Sequence, residues 1–230
     1  MFWTRLASGI VLLIIAIGAM SYGGWVLAAL LCGVSLIAFR ELTKALKCAG
    51  DGNGSGTAPM PGGMEWAGMA GILCYYLLMY FEAGDTFLLM CIVGTFLAAM
   101  FVYVLAFPRY HADQVMAVVF SFLYAPVLLS FVYETRTAPQ GIYTVWTILI
   151  SSWGCDTCAY AVGKLIGRKK IFPVLSPKKS LEGCIGGVLG AALIGWLYGH
   201  FFVGRAFPEE SVAWAIAAIC AAGAVMSMVG

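Results

Sequence analysis

Apolar runs close to the ~20 residues that cross a bilayer as a helix recur along nearly the whole chain, and no other feature restricts its fold as much. Hydrocarbon offers no partner to a stray backbone N–H or C=O, so each run must close its own hydrogen bonds as a helix. Eight runs are legible, at about 6–22, 25–39, 66–82, 86–107, 114–133, 141–163, 183–202 and 212–229. The expected fold class is therefore all-α: a polytopic integral membrane helical bundle with about eight transmembrane helices. Only 10% of the 230 residues are charged, against about a quarter in a soluble domain, which excludes a separate water-soluble unit of any size. Arg5 ahead of the first run resembles a signal-peptide start. Ser21-Tyr22-Gly23-Gly24-Trp25 offers no small-x-small cleavage site, however, and a second run follows at once, so the first reads as a retained span.

The basic residues orient the chain. With the N-terminus in the cytoplasm and the spans alternating, all thirteen Lys and Arg except Arg136 and Arg205 fall on the cytoplasmic side. A single membrane domain, 1–230, is expected: first two spans in 1–47, a flexible cytoplasmic loop in 48–65, middle spans in 66–140, and C-terminal spans carrying the polar site in 141–230. The loop is rich in Gly, Pro and Ser, and its glycines are not closed by the G-K-[ST] of a P-loop. The eight Cys are scattered singly and read as small apolar fillers. Cys155 and Cys158 form a C-x-x-C, but no second Cys or His pair stands at metal-ligand spacing. His111 and His200 read as interfacial residues.

The sixth run is unlike the others because it holds an acid, Asp156, eight residues before Lys164. An ionisable side chain within a span is costly and marks a functional candidate. At i, i+4, i+7 and i+11, Ser152, Asp156, Ala159 and Gly163 share one small, polar helical face that suits either a wet cavity or helix packing. Beyond it, Ile171 to Gly187 reads IFPVLSPKKSLEGCIGG between two apolar runs. Ser176 is the expected N-cap and Pro177 the first helical residue, which places Lys178 and Lys179 in the first turn. Cations are disfavoured at that end of a helix, and an anion brought there resolves the conflict. Backbone N–H groups, two ammonium groups and the Ser180 hydroxyl make a candidate phosphate site. Gly183, Gly186 and Gly187 allow a ligand or a neighbouring helix to approach closely.

SPKKSLEGCIGG from Ser176 resembles the S-P-K-K-[ST]-x-E-G-x-x-G-G element of the phosphatidate cytidylyltransferase (CDP-diglyceride synthetase) family. CDTCAYAVGKLIGRKK, Cys155 to Lys170, is similar to that family's D-T-x-A-Y-x-x-G-[KR]-x-x-G-[KR]-x-K segment. Together the two cover about one seventh of the chain. The resemblance implies a bacterial inner-membrane (cytoplasmic-membrane), multi-pass CTP-dependent nucleotidyltransferase of phospholipid biosynthesis, with its active site facing the cytoplasm. Its reaction converts CTP and phosphatidic acid into CDP-diacylglycerol and pyrophosphate. Asp156 and Lys179 are then the catalytic candidates. Ser176, Lys178, Lys179, Ser180, Glu182, Gly183, Gly186, Gly187, Lys164 and Arg168 bind CTP or its phosphates. Mg²⁺ is the implied cofactor, with Asp156 as a ligand and a monovalent cation as a candidate second ion. Other implied partners are the bilayer and a second copy of the chain, with no nucleic acid.

The family's longest signature, beginning S-x-x-G-D, is met only by Ser227 and Gly230. The expectation is thus a truncated sequence whose main metal-binding acids lie beyond Gly230, so that residues 1–230 alone are inactive or nearly so. The rivals are a small transporter or channel built on Asp156, which calls for matched broken helices in two halves, a cytidylyltransferase of another lipid phosphate, and a structural scaffold.

Overall fold

The computed structural model describes residues 2–48, 62–108, 110–167, 170–172, 176–207 and 210–229. Its chain divides into two compact units, residues 1–138 and 139–230.

The first unit holds α1 (Phe2–Tyr22), α2 (Gly24–Cys48), α3 (Gly63–Tyr80), α4 (Asp85–Leu105), α5 (Ala112–Phe122) and α6 (Leu128–Thr137). α1 ends at Gly23 and Gly24, both at positive φ (72° and 50°), a conformation glycine adopts without a Cβ penalty. The carbonyls left open there are taken by Arg136, whose Nε donates to Met20 O at 2.7 Å and whose Nη2 donates to Ser21 O at 3.1 Å. α2 continues through the basic segment beyond Phe39, past the expected end of the second span. The Phe39 ring, fully buried, lies against Gly68 of α3, and Gly71 of α3 packs on Thr95 of α4. Between α5 and α6 the helix widens to a π-turn, Leu123–Val127, around Pro126, which has no N–H to donate. Tyr76 of α3 donates its hydroxyl to Pro126 O at 3.2 Å and shares a second hydrogen bond with Ser35 of α2 at 2.8 Å.

The second unit holds α7 (Gly141–Thr144), α8 (Trp146–Leu149), α9 (Cys155–Leu165), the strands β1 (Lys170–Phe172) and β2 (Ser176–Ser180), α10 (Leu181–Tyr198) and α11 (Glu210–Val229). β1 and β2 form an antiparallel ribbon that pairs Lys170 with Ser180 and Phe172 with Ser176. It is the one strand pairing among the described residues of an otherwise helical chain, and the all-α expectation holds apart from it. α10 lies between α9 and α11. Its glycines set the spacing: a Cβ on Gly186 would come within 2.6 Å of Val162, and one on Gly190 would strike Cys158. A small core of Cys155, Ala191 and Ala224 joins the three helices.

Among the described residues, five helical segments are long and apolar enough to cross a bilayer: Gly24–Leu46, Asp85–Leu105, Ala112–Thr137, Leu181–Val203 and Ser211–Met228. Eight spans were expected, and the first, third and sixth runs fall short for separate reasons. The described apolar part of α1 is limited to Val11–Tyr22. α3 is 18 residues long and includes Glu65, Tyr75, Tyr76 and Tyr80. The sixth run is not one α-helix, since it breaks at Val145 and again at the π-turn Ile150–Gly154.

Candidate active site

α9 ends next to the start of α10, and three small residues permit the approach. A Cβ on Gly163 would sit 3.1 Å from Ser180 Oγ, and one on Gly183 would sit 2.9 Å from Ala159 O. The gap that remains is a cavity of about 520 Å³, wholly within the second unit. α9 lines it with Cys155, Asp156, Ala159, Tyr160, Gly163 and Lys164. Gly167 and Lys170 follow, then Lys179, Ser180, Gly183 and Cys184, and finally Met228 of α11.

Ser180, not Ser176, caps α10. Its backbone is extended (φ −105°, ψ 153°), and its Oγ accepts from Gly183 N at 3.2 Å. Pro177, Lys178 and Lys179 therefore belong to strand β2 rather than to a first helical turn. The fixed φ of proline suits an extended edge as well as it suits a helix start, and pairing with β1 selects the strand. This removes the expected conflict between the lysines and the helix dipole. The cationic character of the site survives, because Lys179 precedes the positive end of α10 and lines the cavity. The acid in the first turn is Glu182.

Three lysines, Lys164, Lys170 and Lys179, and one acid, Asp156, line the cavity. Among the described residues the one ion pair is Lys44–Glu41, far off in the sequence, so none of the cavity lysines is neutralised by a protein acid within it. Lys179 Nζ donates to Met228 O at 3.0 Å. Ser180 is buried, and its hydroxyl keeps a proton to donate after accepting from Gly183. Such a cavity can hold a polyanion: cations at its wall, a helix N-terminus beside it and little protein charge to compete.

The structure gathers Asp156, Lys164, Lys179, Ser180 and Gly183 around this cavity, as the sequence leads one to expect. Gly187 instead packs toward Cys155, Ala159 and Met228, and Gly186 toward Val162. Both act in the reading that the sequence left open beside ligand approach, the close approach of a helix. Glu182 lies on the outer side of α10, in an apolar groove with Val162 and Ile185. Arg168 lies outside the described residues; Ser176 and Lys178 are placed in β2 by their backbone alone. Ser152 is not part of the lining. The π-turn that contains it widens the helix just before Asp156, so α-helical spacing does not carry across from one to the other. Tyr160 and Lys170, which hold fixed positions of the D-T-x-A-Y motif segment but are not among the expected binding residues, also line the cavity. Tyr160 was signalled by its spacing, four residues after Asp156 and four before Lys164 on one helical ridge. The C-x-x-C thiols pack apart, Cys155 toward Ala224 O and Cys158 against Gly190.

Asp156 is the one carboxylate among the described lining residues, and no group of three His, Cys, Asp or Glu suited to a metal occurs among them. A hard cation of the Mg²⁺ type is commonly held by one or two carboxylates together with substrate phosphates and water. Asp156, in the wall of a cavity lined by three lysines, fits that mode.

Fold and site together define a class: an integral membrane helical protein with a cavity lined by three lysines. The chain belongs to the Cytidylyltransferase family, whose sequence profile matches residues 3–230. It is similar to the phosphatidate cytidylyltransferase of Staphylococcus aureus (strain COL), with 36% identity over 74 residues. The enzymes of the same name from Staphylococcus saprophyticus and Staphylococcus epidermidis (strain ATCC 12228) match over 74 residues at 34% and 36% identity. Each match takes in 32% of this chain and spans only 28% of the relative's own length. No solved structure matches the chain.

Proposed function

We propose that the protein transfers CMP from CTP to the phosphate of phosphatidic acid, forming CDP-diacylglycerol and releasing pyrophosphate, and that the α9–α10 cavity holds the nucleotide's phosphates. The observation that carries this reading is the set of Lys164, Lys170 and Lys179 around one cavity, without a protein counter-ion among the described residues, in a chain of the Cytidylyltransferase family. In the reaction a phosphate oxygen of the lipid attacks the α-phosphorus of CTP, and the bond from that phosphorus to the bridging oxygen of the β-phosphate breaks. Phosphoryl-type transfers of this kind depend on positioning and charge stabilisation more than on covalent help from the protein. The lysines hold the triphosphate and offset the charge that gathers on departing pyrophosphate. Ser180 donates its hydroxyl to a phosphate oxygen. Asp156 orients the opposite side of the site and is the residue that would hold Mg²⁺; the ion, when bound, supplies further neutralisation of the phosphate oxygens.

Several finer points belong to the same proposal. The cavity opens toward the cytoplasm, a placement supported by the distribution of Lys and Arg along the sequence. The membrane is the bacterial inner membrane, and the protein works as a homodimer with Mg²⁺; the support for these is the family resemblance. The test uses α-phosphate-labelled CTP with vesicles containing the protein and phosphatidic acid. Label is expected in the lipid extract with a chain that spans the full length of the curated relatives, and should vanish with Lys179→Ala; residues 1–230 alone are expected to bind CTP with little or no transfer. Failure of the chain to bind CTP at all would remove the proposal.

A further inference from the structure

We propose that Tyr160 is the platform on which the nucleobase of the bound nucleotide stacks; this rests on the nucleotide reading of the cavity. Asp156, Tyr160 and Lys164 follow one another at four-residue spacing on α9, about 6 Å apart along its axis, and all three line the cavity. Between the acid and the base the helix therefore presents a flat aromatic surface. Its neighbours in the cavity wall are small, Ala159 and Gly163 among them, so nothing bulky from α9 itself covers the ring.

Exposure together with a place in the cavity wall sets this side chain apart; Tyr22 is as open, at 69%, but does not line the cavity, and other tyrosines of the helices are engaged. Tyr75 and Tyr76 are buried, edge-to-face with each other, and both hydrogen-bonded through their hydroxyls. Tyr198 donates to Tyr143 O at 2.8 Å and stacks on Phe202. Tyr160 is 71% exposed, and among the described residues it pairs with no aromatic ring and makes no hydrogen bond. An aromatic side chain left open in a cavity whose other polar groups suit phosphates offers what phosphates do not use, a π-face. Every base has a face to stack, and such contacts are tolerant of base identity. Tyr160 should therefore strengthen binding of nucleotides in general over that of bare polyphosphate, while choosing poorly among bases. The competing role for an exposed tyrosine near a span end is anchorage at the membrane interface.

The experiment compares two probes on the same chain in lipid nanodiscs: CTP, and inorganic tripolyphosphate, which has the anionic groups without a base. Wild type should bind CTP more tightly than tripolyphosphate. Tyr160→Leu should weaken CTP about tenfold and leave tripolyphosphate unchanged, whereas Tyr160→Phe, which keeps the ring, should stay within about twofold for both. Three results overturn the inference: CTP binding that is indifferent to Tyr160→Leu, an equal loss for both probes, or wild-type affinity no greater for CTP than for tripolyphosphate. The third leaves the phosphate site standing. If the wild-type chain binds neither probe, the nucleotide reading itself fails and the role of Tyr160 with it.

Discussion

Charge is sparse in this chain, which makes each charged group around the cavity informative. Lys164 and Lys170 make no described hydrogen bond or ion pair, and Lys179 is held only by the Met228 carbonyl. Their positive charge is thus available to a ligand. Interactions between groups near a protein surface amount to a few kcal/mol at most and are screened by salt. Replacing Lys164 with Ala should weaken binding of a nucleoside triphosphate about five- to tenfold at low salt, with a smaller loss in 0.5 M KCl and no change in thermal stability. A nucleotide titration at two salt concentrations checks this. Asp156→Asn should act in opposite directions on two measurements. Without divalent cation it removes a negative charge from the cavity, so triphosphate binding should strengthen. Turnover with Mg²⁺ should fall at least about a hundredfold, because a metal-holding carboxylate is lost. Weaker metal-free binding in this variant would mean that Asp156 does not face the anion.

At the scale of elements, the cavity exists because α9 and α10 approach through glycine. Gly183→Ala would set a methyl 2.9 Å from the Ala159 carbonyl, and Gly186→Ala would set one 2.6 Å from Val162, contacts that α9 cannot absorb without moving. Each should cost about 1–3 kcal/mol in unfolding of the purified protein, as overpacked sites do. Gly94→Ala in α4 is the control: nothing lies within 4 Å of the new methyl, so stability should hold or rise. The small residues of α10 were legible in the sequence, as was the clustering of Lys164, Lys179 and Ser180 with the acid Asp156. The cap of α10 was not. Both Ser176-Pro177 and Ser180-Leu181-Glu182 satisfy local rules for a helix start, and the choice between them is made by pairing of Lys170 with Ser180 across the ribbon. Partners ten residues apart leave no periodic trace in so short a segment. The π-turn at Ile150–Gly154 is similarly silent in composition, and for that reason Ser152 was placed on a face it does not share.

For the molecule as a whole, hydropathy points to a helical membrane protein, and the Lys and Arg distribution supports the proposed direction of its spans. Lys170 precedes the span Leu181–Val203, and Arg205 follows it, so the two residues bracket a single crossing. In the proposed orientation the lysines of the cavity belong to the cytoplasmic side of that crossing, where the proposed substrates, a soluble nucleotide and the phosphate of a lipid, can meet without either entering hydrocarbon. A phosphate drawn into the apolar interior would lose its hydration with nothing comparable in return. For the proposed reaction the site therefore has to lie at the aqueous edge of the bilayer, and it has to face the compartment that holds the nucleotide. Single-cysteine labelling with a membrane-impermeant maleimide resolves the direction. Lys170→Cys should react above the wild-type background in inside-out vesicles alone, and Arg205→Cys in right-side-out vesicles alone. The reverse pattern would put the lysines outside the cell and deny the cavity its triphosphate. Labelling of both positions from one side would mean that Leu181–Val203 does not cross the membrane at all.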